Sequence, residues 1–93
     1  MYRNILVAID GSDTSDLGLQ EAIKLTKSLG SRIRLIHITS ESDAVPADLP
    51  GVDIRDLLQQ ARRSGEAILT RARDQVHSAA VPVETQLVEA WSG

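Results

Sequence analysis

Cysteine is absent from the 93 residues. That excludes disulfide bridges and thiolate metal sites, and it agrees with a reducing, cytoplasmic setting. Aromatic side chains are nearly absent too, with no Phe and only Tyr2 and Trp91, so no stacking platform for single-stranded nucleic acid is expected. Ten basic residues are scattered among thirteen acidic ones, for a formal net charge of −3. No basic stripe exists to neutralise the phosphates of a duplex, and nucleic acid is not an expected partner. No apolar run approaches the roughly 20 residues of a membrane span. Met1-Tyr2-Arg3-Asn4 leads straight into an apolar strand, without the pattern of a signal peptide. Neither a Gly-x-x-x-x-Gly-Lys-Ser/Thr phosphate loop nor a Gly-x-Gly-x-x-Gly fingerprint occurs, nor a His-Glu-x-x-His zinc motif.

What is present is an apolar content of 42%, enough for a packed core and against disorder. The length bounds the chain, residues 1–93, to one small domain. Ile5-Leu6-Val7-Ala8-Ile9 is a continuous apolar run closed by Asp10-Gly11-Ser12, the habit of a strand buried on both faces of a parallel sheet. Ser12 or Asp13 can cap a helix. Leu19, Ala22, Ile23, Thr26 and Leu29 then recur at steps of three and four, an amphipathic stripe that Gly30 is placed to stop in a left-handed conformation. Ile33 to Ile38 reads as the second strand. Residues 39–52 read as a loop, after which Asp53 can cap a second helix. Its stripe comprises Ile54, Leu57, Leu58, Ala61, Ile68, Leu69, Ala72, Val76 and Ala79. Gly65 interrupts it at a cost of about 1 kcal/mol against alanine unless close packing requires it. Val81 to Val88 alternates as a strand with one buried face, and Pro82, which cannot donate to a ladder, puts it at a sheet edge. Residues 89–93 read as a loop or frayed end. Strand, helix, strand, helix, strand implies an open α/β parallel sheet of three strands with two right-handed crossover helices.

Ligands of such sheets bind beyond the carboxyl ends of the strands. That rim is made by Asp10, Gly11 and Ser12 after the first strand, by Ile38, Thr39 and Ser40 after the second, and by Glu89 onward after the third. Asp10 is the best-placed polar side chain there, either as a binding group or as the shaper of its own turn. The first helix aims its N-terminal N–H groups at the same rim. His37, within a strand, reads as a core or edge histidine, and His37 with His77 lacks the further ligands of a zinc site. Arg55, Arg62, Arg63, Arg71 and Arg73 alternate with Asp56, Glu66 and Asp74 as a solvated helix face. No histidine lies near Ser12, Thr14 or Ser15 to activate a hydroxyl, and no enzymatic activity is expected.

Asn4-Ile5-Leu6-Val7-Ala8-Ile9-Asp10-Gly11-Ser12-Asp13-Thr14-Ser15 closely resembles the start of universal stress proteins. The likeness continues through Ala22 and Leu29, Ile33-Arg34-Leu35-Ile36-His37-Ile38 and Val81-Pro82-Val83-Glu84, essentially the whole chain. The resemblance implies a Rossmann-like adenine-nucleotide fold with strands in the order 3-2-1. It implies that Asp10 contacts the adenosine part, and that backbone at Ala8 and Ile38 lines the base pocket. It further implies an ATP or AMP ligand and a part in stress response, with Ala8, Ile9, Asp10, Gly11, Ser12 and Ile38 as site residues. The family's phosphate-binding glycines would fall beyond residue 93, so weak nucleotide binding is expected. The alternative is an assembly module of the same fold that binds no nucleotide. In the order 3-2-1 both crossover helices lie on one face. Ile5, Val7 and Ile9 point one way from the first strand and Leu6 and Ala8 the other, and the second strand offers Ile33 and Leu35 on one side and Ile36 and Ile38 on the other. One sheet face is thus left apolar, which together with the open edge of the first strand suggests a homodimer or larger assembly.

Overall fold

The computed structural model describes residues 3–40, 51 and 53–90. Strand β1 spans Asn4–Ala8, helix α1 Asp13–Leu29, strand β2 Arg32–Ser40, helix α2 Ile54–Ser78 and strand β3 Val83–Ala90. All pairing is parallel in the order β1-β2-β3, with Ile5 opposite Ile33 and Ile33 opposite Val83. Strand β3 is therefore an edge, as Pro82 requires. That proline has no N–H to give, but its carbonyl accepts from Ile33 N–H at 2.9 Å.

Helix α1 begins where Ser12, in extended backbone, accepts from Ser15 N–H. It ends at Gly30, whose φ of 65° lets the cap N–H turn back to the Thr26 carbonyl. Helix α2 is capped by Asp53, which accepts from Arg55 N–H. Its Gly65 is buried because close packing requires it. A Cβ there would come within 2.8 Å of both His37 Cδ2 and Leu87 Cδ1.

Both helices cover the same sheet face. Leu19 and Ile23 of α1 share one cluster with Leu69, Ala72 and Val76 of α2 and with Ile9, Ile33, Leu35 and Val81 of the sheet. Gln20 Nε2 of α1 donates to Gln75 Oε1 of α2 across the seam between the helices at 2.8 Å. Leu19, Ile33, Leu35 and Val76 are fully buried, each contributing about 1.5–3 kcal/mol over an exposed side chain.

Several boundaries differ from the sequence reading. Strand β2 continues through Thr39 and Ser40, and β3 through Glu89 and Ala90, because these two strands keep pairing as far as Ser40 opposite Ala90. Of the loop expected over residues 39–52, only Gly51 lies among the described residues outside a strand. Leu29 and Ile54, counted on the buried stripes, are 60% and 51% exposed. Both sit at helix ends. A 17-residue helix is about 25 Å long at 1.5 Å per residue, whereas a five-residue strand is about 17 Å long. The end turns therefore overhang the sheet. The face that neither α1 nor α2 covers is apolar only in part: Leu6 and Ile38 are 63% and 58% exposed there, but Leu6 stands opposite Arg34 in the register. Around Leu6 the face is charged, with Glu84 ion-paired to Arg32 at 3.7 Å and to Arg34 at 3.6 Å.

Candidate ligand cleft at the carboxyl ends of the strands

Strand β1 leaves the ladder before its neighbours do. Its pairing with β2 stops at Ala8 opposite Ile36, while β2 and β3 continue for four more pairs. Past that point a cleft of about 370 Å³ opens between the β1–α1 turn and the end of β2, a volume within the range of small-molecule sites. Ala8, Ile9, Ile36 and Ile38 make its apolar wall, and Asp10, Ser12, Thr14 and Ser15 its polar rim.

The rim is built by three local hydrogen bonds. Ser12 N–H donates to Asp10 Oδ1 at 2.9 Å, Ser15 N–H to Ser12 Oγ at 3.1 Å, and Asp10 N–H to Ser15 Oγ at 3.2 Å. Asp10 thus shapes its own turn and also lines the cleft. The Ser12 hydroxyl first, and its N–H second, hold the Asp10 carboxyl below the ordinary carboxylate range. Asp13 and Asp16 stand in the first turn of α1, where the helix dipole favours them. Among the described residues no Lys or Arg lines the cleft.

Five of the residues expected at the site line this cleft: Ala8, Ile9, Asp10, Ser12 and Ile38. Gly11 does not. It bends the chain with a φ of 83°, and its Cα faces α2, where an added Cβ would meet Ile68 at 3.2 Å. It lines the adjoining groove with Asp16, Ile68, Arg71 and Ala72 instead. Sequence reasoning missed Thr14, Ser15 and Ile36. Ile36 was legible as the residue two before Ile38, on the same strand face. Thr14 and Ser15 were legible as hydroxyls in the first turn of a helix already aimed at the rim.

Arg62 is not part of a merely solvated face. It donates to Glu89 through Nε at 2.7 Å and Nη2 at 3.0 Å, and this carboxylate raises the Arg62 pKa above its ordinary value. The early turns of α2 lie over the carboxyl end of β3, which brings the two within reach. Among the described residues no group of His, Asp or Glu is arranged to hold a metal ion, and no helix is long and apolar enough to cross a membrane.

An open parallel sheet with a ligand-sized cleft beyond its strand ends, rimmed by the first turn of the following helix, defines the class of α/β modules that hold small molecules there. The chain belongs to the universal stress protein family, whose model matches residues 1–92. It is 29% identical over 91 residues to the universal stress protein YxiE of Bacillus subtilis, an alignment covering 91% of this chain and 62% of that protein. A universal stress protein structure from Burkholderia pseudomallei superposes with a TM-score of 0.80 at 29% identity, over 96% of this chain and 64% of its own. UspA of Lactobacillus plantarum shares the fold with a TM-score of 0.75 at 19% identity, over 97% and 62% of the two chains. So does a universal stress protein solved in complex with cAMP, with a TM-score of 0.65 at 20% identity, over 96% and 62%. The chain thus spans less than two thirds of the length of these relatives.

Proposed function

We propose that this chain is a stress-response module of the cytoplasm that binds an adenine nucleotide, ATP or AMP, in the cleft beyond β1 and β2, and that it acts by binding rather than by catalysis. The observation that carries this reading is the division of the cleft. Its apolar wall of Ala8, Ile36 and Ile38 suits a flat base, and its rim of Asp10, Ser12, Thr14 and Ser15 suits the hydroxyls of a ribose. The family relative in complex with cAMP supports the choice of adenine. Calorimetric titration with AMP, cAMP and ATP, with GMP as the control, tests it. Saturable binding of AMP or cAMP that GMP does not match supports the reading, and no heat from any adenine nucleotide defeats it.

A second reading is favoured by the exposure of Leu6 and Ile38 on the face that neither α1 nor α2 covers. In it, a second copy of this chain covers the apolar part of that face, and assembly is the function. Sedimentation at micromolar concentration separates the two. A monomer that binds AMP leaves only the first, and a dimer indifferent to AMP leaves only the second.

A further inference from the structure

The cleft exists because β1 separates from β2 after Ala8, and one side chain stands at the point of separation. Ile9 N–H still donates to the Ile36 carbonyl at 2.8 Å, so Ile36 presents its peptide groups to β1. Alternation along the strand makes Ile38 present its own to the same side. A continuing parallel ladder would next join Ile38 N–H to the Ile9 carbonyl. That carbonyl instead accepts from His37 Nδ1 at 2.8 Å. A carbonyl can only accept, so Nδ1 carries the proton. The ring is held in place from α2. Gly65 leaves room for it, and a Cβ at that position would come within 2.8 Å of its Cδ2 and 3.4 Å of its Nε2. Leu87, opposite His37 in the register, closes the same gap.

We propose that His37 is the positioning residue of the cleft. Its Nδ1–H draws the Ile9 carbonyl out of the ladder toward the helix face, which leaves the Ile38 N–H and C=O facing the cleft and fixes where Asp10, the next residue, enters the rim. The consequence for affinity rests on the cleft being the nucleotide site. The consequence for the backbone does not.

The test compares His37→Asn, whose amide nitrogen can stand where Nδ1 stands, with His37→Leu, which fills similar space and has no donor. Two readouts are taken on the whole chain: AMP affinity, and hydrogen exchange at the Ile38 amide without ligand. The expected result is AMP affinity within about twofold of the parent in His37→Asn and about tenfold weaker in His37→Leu. The Ile38 amide should exchange fast in the parent and in His37→Asn, but slowly in His37→Leu, where the ladder bond to Ile9 is free to form. Unchanged affinity with fast Ile38 exchange in His37→Leu overturns the proposal, as does an asparagine variant as impaired as the leucine one. If no form binds AMP but Ile38 exchange follows the expected order, the role of His37 stands and the nucleotide reading falls. Should His37→Leu not fold, the ring nitrogens of the parent decide the matter by NMR. A neutral ring protonated at Nε2 rather than Nδ1 overturns the proposal.

Discussion

Replacing Gly65 with alanine sets two effects of opposite sign against each other. Alanine in a helix interior is favoured over glycine by about 0.8–1.0 kcal/mol. At Gly65 the new methyl would lie 2.8 Å from His37 Cδ2 and Leu87 Cδ1, whereas comfortable carbon–carbon contact is about 3.5–4.0 Å. Leu87 offers the far end of a flexible side chain and can yield. The imidazole of His37 cannot move by the required ångström or so without loosening its bond to the Ile9 carbonyl. Overpacking typically costs about 1–3 kcal/mol, and a weakened hydrogen bond adds about 0.5–1.5 kcal/mol. The steric side wins, with an expected net loss of about 1–3 kcal/mol. Gly18, within α1, has nothing within 4 Å of its virtual Cβ, so Gly18→Ala should gain about 0.5–1 kcal/mol. Urea unfolding of the two variants beside the parent reads both. With a slope of about 1 kcal/mol per molar for a small domain, the midpoint of Gly65→Ala should fall by about 1 M or more while that of Gly18→Ala rises. A Gly65→Ala protein as stable as Gly18→Ala would refute the packing argument.

Three further outcomes are expected. Leu19→Ala removes a fully buried side chain and should destabilise by about 2–5 kcal/mol in the same urea assay; a loss below 1 kcal/mol would place Leu19 outside the core. Asp10→Asn should weaken AMP binding by about ten- to a hundredfold and also alter the acid limb of stability. The folded Asp10 pKa is depressed, so its contribution is complete above the unfolded value of about 3.9 and is lost as pH falls through the folded value. Thermal melts below that pH should therefore converge for parent and variant, and melts that stay equally far apart at every pH would contradict the assignment. ATP should bind no more tightly than AMP, because among the described residues no cation lines the cleft and Asp13 and Asp16 stand in the first turn of the helix behind it. Low-micromolar ATP binding with weaker AMP binding would show that phosphates are recognised after all.

How far the sequence could be read depended on the kind of signal each residue carries. The β1 run, the caps at Ser12 and Asp53, the stop at Gly30 and the edge position forced by Pro82 are local chemistry, and local chemistry is written in adjacent residues. Strand ends are not, because they depend on how far a neighbouring strand keeps pairing. Glu89 looks like tail until β2 is found still pairing beside it. Most of the cleft was legible too, since the polar residues after an apolar strand identify the rim. Gly11 was misplaced because a left-handed residue sends its neighbours in directions that sequence order does not show. Arg62 and Glu89 lie far apart in the chain and meet only because α2 runs back over β3. The bond from His37 to Ile9 was hidden for the same reason, although the histidine itself was noticed.

Among the described residues the sheet contains no hairpin, and this bears on how the molecule reaches its native state. Each ladder joins strands separated by an entire helix, so neither can zip from a tight turn. Both must await closure of a long loop, whose entropy is lost before any pairing repays it. The central strand β2 is the partner that both others must find. Its fully buried Ile33 and Leu35 are therefore expected to be structured in the folding transition state. Substitutions there should slow folding, whereas substitutions near the overhanging ends of α1 and α2 should chiefly speed unfolding.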